Sequence, residues 1–448
     1  MVHRIERLLW YVFLFTIPWQ TRAILWQADT TFSEWRAMAL WGTDLLMVGL
    51  FVLGAVGGWR IRRPDRVDWL LLPLVAAGAV SLLRAPAPEI GLYHLARLVQ
   101  YALFFLYLRH WAWRRFPADA SVLAFVLGAF LQAGIAWGQS LVQHDLGLRW
   151  LGETLLTPFM RGVAVFYDAP LHKVLRVYGT LPHPNVLAIL LSLALWGFGW
   201  LWLRHGYAGA VRWAHAPWAI VGALLVWASG LTYARTVAAV WVLGSAVMVG
   251  AVYASRAMHW RNIVLIRARL RTALILLTIV GGLFVAMHAP QVVARMSIQS
   301  GDEAVRLRLD FARDALGSGG GASWLARVNW IGVGIGNFTT WLAAYDPSIP
   351  DYLRQPAHSV YLMAYAETGV LGTLALIMFV VVVVQRAWYA HRDQPLLRIG
   401  ILAVLAAVLL AATWDHFFWT LQQGRIMWWM VLALAAGAVG PYNQSHER

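Results

Sequence analysis

Apolar residues in this chain come in runs of fifteen to twenty or more, separated by short arginine-rich breaks. A helix crosses a bilayer core of ~30 Å with about 20 such residues, because each adds 1.5 Å. The pattern predicts helices near 8–25, 37–59, 69–83, 92–108, 120–141, 184–203, 216–230, 237–255, 272–288, 357–385, 399–414 and 422–440. Water is absent from the bilayer core, so each span must satisfy its own backbone polar groups, which a helix does. The expected fold is an all-α polytopic membrane protein of about 12 transmembrane helices.

The breaks fix an expected orientation. Placing the N-terminus in the cytoplasm puts Arg60–Asp68, Arg109–Asp119, Arg204–His215, Arg256–Arg271 and Arg386–Arg398 inside, with both tails. These segments hold twenty Arg against six acids, whereas the other side holds fourteen Arg and Lys173 against thirteen acids. Basic residues near helix ends resist translocation, so both termini are expected in the cytoplasm. The organisation is then 1–288 as helices one to nine with an outward segment at 142–183, a large outward loop at 289–357, and 358–448 as helices ten to twelve.

Composition removes the soluble alternatives. Hydrophobic residues make up 60% and charged residues 13% of the 448 positions, against roughly 25% charged in soluble domains. The net charge of +15 follows from the inside bias, not from nucleic-acid binding, and no nucleic-acid partner is expected. There are no cysteines, hence no disulfides or thiolate metal sites. The N-terminal MVHRIERLLWYVFLF lacks a small-residue cleavage site and runs into Pro18, so it reads as a retained first helix.

A long outward loop with helices of its own is where function tends to sit. Within 289–357, Ala304–Leu316 spaces Leu307, Phe311 and Leu316 toward one side, which suggests an amphipathic helix on the membrane or over a cavity. Gly317–Gly321 ends it.

Arg354–Gly372, RQPAHSVYLMAYAETGVLG, is the most informative stretch. Pro356 breaks the chain and His358 falls in the first turn of helix ten, where the helix dipole favours a neutral imidazole able to accept a proton. By spacing alone, a histidine that merely caps an interfacial helix is the simpler account. Arg235 sits in a very short break between apolar stretches, where an unpartnered charge costs at least ~2.5 kcal/mol; a snorkelling arginine is the bland alternative. His183 and Asn185 start another outward helix between Pro182 and Pro184, as sugar-orienting groups or, for Asn185, as a cap. Glu367 lies nine residues past His358, about 13.5 Å along a helix, so the two form no dyad. It is expected to pair with an arginine of another helix or stay neutral, and Asp44 and Arg97 to be structural partners of that kind. Asp415 and His416 are adjacent on an expected helix and would not face each other. Trp324, Trp330 and Trp341 offer sugar-stacking surfaces. Asp302–Glu303 is too little for a metal, and neither metal nor cofactor is expected.

The pattern His358, Ser359, Tyr361, Leu362, Glu367, Gly369 and Gly372 resembles the signature of the O-antigen ligase family, whose superfamily includes O-antigen polymerases and bacterial protein O-oligosaccharyltransferases. Trp330–Phe338 (WIGVGIGNF) resembles its Gly-rich segment, Thr232–Thr236 (TYART) its Ser-Arg motif with Tyr-Ala where Ser is usual, and Thr180–Asn185 (TLPHPN) its Gly-x-x-x-His-x-Asn segment. The likeness spans about 170–385.

The resemblance implies a GT-C-like, metal-free membrane enzyme that moves a glycan from undecaprenyl diphosphate, here most like the members that use lipid A-core as acceptor. It implies diphosphate binding by Arg235 and by Arg306 or Arg308, with His358 as general base and Tyr361, His183 and Asn185 orienting substrate. Arginine suits a lipid diphosphate because its fork binds phosphate oxygens bidentately. The expected place is the periplasmic face of a bacterial inner membrane. Polymerisation and transfer to protein Ser or Thr demand the same groups and stay open. A transporter or flippase of lipid-linked glycan is the rival of another class.

Overall fold

The computed structural model describes residues 1–28, 33–61, 63–205, 216–254, 260–297, 303–318, 328–350, 353–389 and 395–437. Trp324, Asp302, Gly319–Gly321 and the C-terminal tail lie outside them. Six helices are long and apolar enough to cross a membrane: Arg66–Arg84, Ala118–Val142, Pro184–His205, Val264–Met287, Val360–Tyr389 and Leu397–Trp414. Gly42–Val56, Pro217–Leu231 and Ala238–Gly250 are apolar but shorter. The chain is thus an all-α membrane protein, with only two small β-hairpins among the described residues.

Several expected boundaries move. The first helix is Val2–Thr16, not 8–25, because Pro18 follows it and has no N–H to continue the ladder. Arg22–Gln27 instead pairs antiparallel with Ala37–Trp41, whose Ala37, Ala39 and Trp41 alternate inward as a strand requires. A second hairpin, Val165–Ala169 with His172–Leu175, lies within 142–183. The ninth helix starts at Trp260, so Arg267 and Arg269 lie on it, not in a break. Their guanidiniums donate to the carbonyls of Tyr253, Leu203 and Arg204, capping the ends of two neighbouring helices.

The helix Glu303–Gly317 forms as expected but buries a different stripe. Phe311 and Ala315 are buried and Leu307 packs beside them, whereas Leu316 is exposed. Residues four apart stay on one face at 3.6 residues per turn, and Leu316 falls past its edge.

Val360–Tyr389 is broken at Gly369, which adopts φ 69°. The backbone groups freed there are taken by the Gly-rich segment. Val333 N–H donates to the Ala366 carbonyl at 2.9 Å and Gly334 N–H to that of Glu367 at 3.1 Å. In return Val370 N–H donates to the Asn329 carbonyl at 2.8 Å and Leu371 N–H to that of Trp330 at 3.3 Å. A Cβ on Gly332 would stand 2.0 Å from the Glu367 carbonyl oxygen, so only glycine permits the approach. Irregular backbone inside a membrane protein must be satisfied this way. Glu367 is held by the Trp419 indole N–H at 2.7 Å and by the amides of Gly336 and Phe338, with the charge of Arg425 acting on it. Arg97 and Asp44 do pair, Nη1 to Oδ2 at 2.6 Å, with Gln422 and Gln100 donating to the same carboxylate.

Candidate functional site

Six segments meet at the end of the bundle that carries both long loops. They are the loop 176–185, the break 232–234, the helices Ala289–Met296 and Glu303–Gly317, the approach to Val360, and the break at 415–416.

His358 stands two residues before its helix, not in the first turn. Burial, more than a helix dipole, therefore lowers its basicity. The Arg308 guanidinium adds to this, and Asp415 and the Pro356 carbonyl oppose it. The net effect keeps the ring neutral at a pH where an exposed histidine begins to protonate. Its Nδ1 lies 3.2 Å from the Pro356 carbonyl oxygen. A carbonyl only accepts, so Nδ1 carries the proton and Nε2 presents the lone pair. The ring stacks on Phe311 and meets His416 edge-on, with centroids 5.2 Å apart.

Asp415 and His416 were expected on a helix, facing apart. They occupy a break between Pro395–Trp414 and Phe417–Thr420, and both belong to the cluster. Asp415 Oδ1 accepts the His416 N–H at 2.9 Å and Oδ2 the Asn185 side-chain amide at 2.9 Å. Burial alone would raise this carboxyl, but His416, His358, His183 and the Asn185 bond outweigh it and hold it ionised. His416 is buried and pushed down to about 3, with Nδ1 2.7 Å from Thr420 Oγ1. Among the described residues no three His, Asp or Glu side chains come together at ligand spacing.

Asn185 was expected to cap its helix with its side chain and does not. The cap is His183, whose Nδ1 accepts the Asn185 backbone N–H at 3.1 Å; burial and Arg176 push this imidazole down to about 3. The Asn185 side chain is a bridge. Its Oδ1 accepts from Arg176 at 2.8 Å while its Nδ2 donates to Asp415.

The helix ending at Leu231 leaves free carbonyls, and arginines fill them. Arg176 Nε donates to the Thr232 carbonyl at 2.7 Å and Arg295 Nε to that of Tyr233 at 3.2 Å. Burial and the Arg295 charge lower Arg176 to about 9, so it remains a cation at neutral pH. Arg308 also acts on Arg176, His358 and His416, whereas Arg306 is exposed on the opposite face of its helix. Arg235 and Arg295 both line a cavity of about 300 Å³. The rest of its wall is almost wholly apolar, including Leu195, Val226, Trp241, Phe284 and Val285. Guanidiniums gathered this closely repel one another, and a polyanion lying between them would relieve the repulsion.

Tyr361 packs against the apolar core and makes no bond to this cluster among the described residues. Trp330 is half-exposed, and Trp341 stacks on Tyr345 at 4.8 Å between centroids. The motif reading missed Arg176, Arg295 and Trp35, whose indole meets His416 edge-on at 5.2 Å. No local pattern marks these three; only the fold brings them in. In comparisons with models of protein families and with curated proteins, the chain matches none.

Proposed function

We propose that this protein is a lipid-diphosphate-dependent glycosyltransferase of a bacterial inner membrane, acting on the periplasmic face. In this reading it has about 12 spans in a GT-C-like arrangement with both termini in the cytoplasm, and it moves O-antigen glycan from undecaprenyl diphosphate to lipid A-core. One observation carries the proposal. The Nε2 lone pair of a neutral His358 shares a cluster with Asp415, Arg308 and Arg176, beside an apolar cavity edged by Arg235 and Arg295. A diphosphate on a long hydrocarbon is the ligand whose two halves match the arginines and the cavity.

The step is a single in-line displacement. The acceptor hydroxyl gives its proton to His358 Nε2 as its oxygen bonds to the anomeric carbon. The bond from that carbon to the phosphate oxygen breaks, and its electron pair leaves with the diphosphate. The guanidiniums stabilise the charge that develops there, which is commonly the largest electrostatic contribution. One displacement inverts the anomeric centre.

A transporter of lipid-linked glycan draws support from the break at Gly369 and the buried Arg97–Asp44 pair, features that transporters place at mid-membrane. Purified protein mixed with undecaprenyl-diphosphate glycan, and either rough lipopolysaccharide or a Ser/Thr peptide, in EDTA decides between them. Mass gained by lipopolysaccharide supports the proposal, and mass gained by the peptide or by the glycan itself moves it to a protein transferase or a polymerase. Movement across sealed vesicles with no transfer supports the transporter.

A further inference from the structure

A small pocket adjoins the histidine pair, and we propose that it receives one hydroxyl-bearing arm of the acceptor; this rests on the transferase reading above. The pocket touches the cluster at three places. Trp35 meets the His416 ring edge-on, Thr420 Oγ1 lies 2.7 Å from His416 Nδ1, and the Pro356 carbonyl takes the Nδ1 proton of His358.

Its chemistry is that of an alcohol's complement. Arg425 donates to His94 Nδ1 at 3.1 Å, so the proton of that imidazole sits on Nε2. His94 Nε2 and Thr339 Oγ1 are both buried without a bonding partner among the described residues, on side chains 7% and 2% exposed. Opposite in chemical sense stands the half-buried carboxyl of Glu34, on which the charges of Arg22 and Arg425 act. A hydroxyl placed there donates to Glu34 and accepts from His94 and Thr339 with its two lone pairs, satisfying both buried polar atoms. The space, about 20 Å³, holds one water-sized group and not a sugar ring. The pocket therefore reads a single protruding hydroxyl or hydroxymethyl while the ring stays at the histidines. Sites built to bond a hydroxyl reject analogues that lack it far more strongly than apolar pockets reject a methylene.

Glu34→Ala, Glu34→Gln and Thr339→Val in the full chain test this, with undecaprenyl-diphosphate glycan as donor and rough lipopolysaccharide as acceptor. Glu34→Ala is expected to raise the acceptor KM about 10–100-fold with the donor KM unchanged, Gln to restore part of it, and Thr339→Val to raise it less. Acceptor KM values within about twofold of wild type in all three variants would show that the pocket holds only water and overturn the proposal. A parallel rise in both KM values would overturn it too, because that marks a general structural defect. Absence of transfer by the wild-type protein would instead sink the transferase reading and take this inference with it.

Discussion

Phe311 stacks on His358 with ring centroids 6.1 Å apart and planes 12° from parallel. This contact ties the helix Glu303–Gly317 to His358 and sets Arg308, three residues earlier on the same helix, beside it. Phe311→Leu keeps the site filled but loses the flat face, so transfer is expected to fall by up to ~10²-fold through misplacement alone. The thermal midpoint in detergent should move far less than for Phe311→Ala, which leaves a cavity worth about 3–5 kcal/mol. Rates and melting curves on both variants check this.

Arg308 and Arg306 are two residues apart on one helix and face different ways. Arg308→Ala is expected to lower the transfer rate about 10²–10³-fold, as removal of a charge-stabilising donor does. Arg308→Lys should restore little, since an ammonium lacks the planar fork. Arg306→Ala should stay close to wild type. Equal losses in both would contradict the assignment.

The pH profile follows from the signs of the shifts. His358 must be unprotonated to act, and its pKa lies below the ordinary 6.5, so the acid limb of kcat/KM should fall below pH 6.5. Arg308 lowers His358 and Asp415 raises it. Arg308→Gln should therefore move the acid limb up and Asp415→Asn should move it down, which initial rates across pH 4–10 would reveal.

Gly369 holds a left-handed φ of 69° where a Cβ would stand 2.4 Å from the backbone of Trp330. Gly369→Ala is expected to cost more than the about 1–2 kcal/mol of left-handed strain alone. Gly400, with nothing within 4 Å of its Cβ position, is the control, and Ala there should be neutral or stabilising by up to ~1 kcal/mol. Thermal unfolding in detergent measures both.

The sequence pattern carried the membrane class and most helix positions, because burial in lipid is written in long apolar runs that no short-range effect imitates. It misjudged Arg22–Gln27, whose pairing with Ala37–Trp41 depends on a partner ten residues away. The glycines of Trp330–Phe338 were visible, but their work, closing the backbone at Gly369, was not, since it joins segments over thirty residues apart. At the site, His358, His183 and Asn185 were legible as types at helix starts, and the resemblance offered Arg306 or Arg308 without choosing between them. Asp415 was set aside because neighbouring side chains on a helix face apart, whereas it stands in the break between Pro395–Trp414 and Phe417–Thr420. Arg176 and Arg295 were invisible, for their positions follow from the orphan carbonyls of Thr232 and Tyr233 and from nothing in their own neighbourhoods.

The most direct test compares wild type and His358→Ala for donor binding and for single-turnover transfer on the same preparation. The account predicts unchanged affinity for the undecaprenyl-diphosphate glycan, transfer reduced by about 10²–10⁴-fold, and an inverted anomeric bond in the wild-type product. A His358→Ala protein that transfers at the wild-type rate, or a product that retains its anomeric configuration, would contradict it.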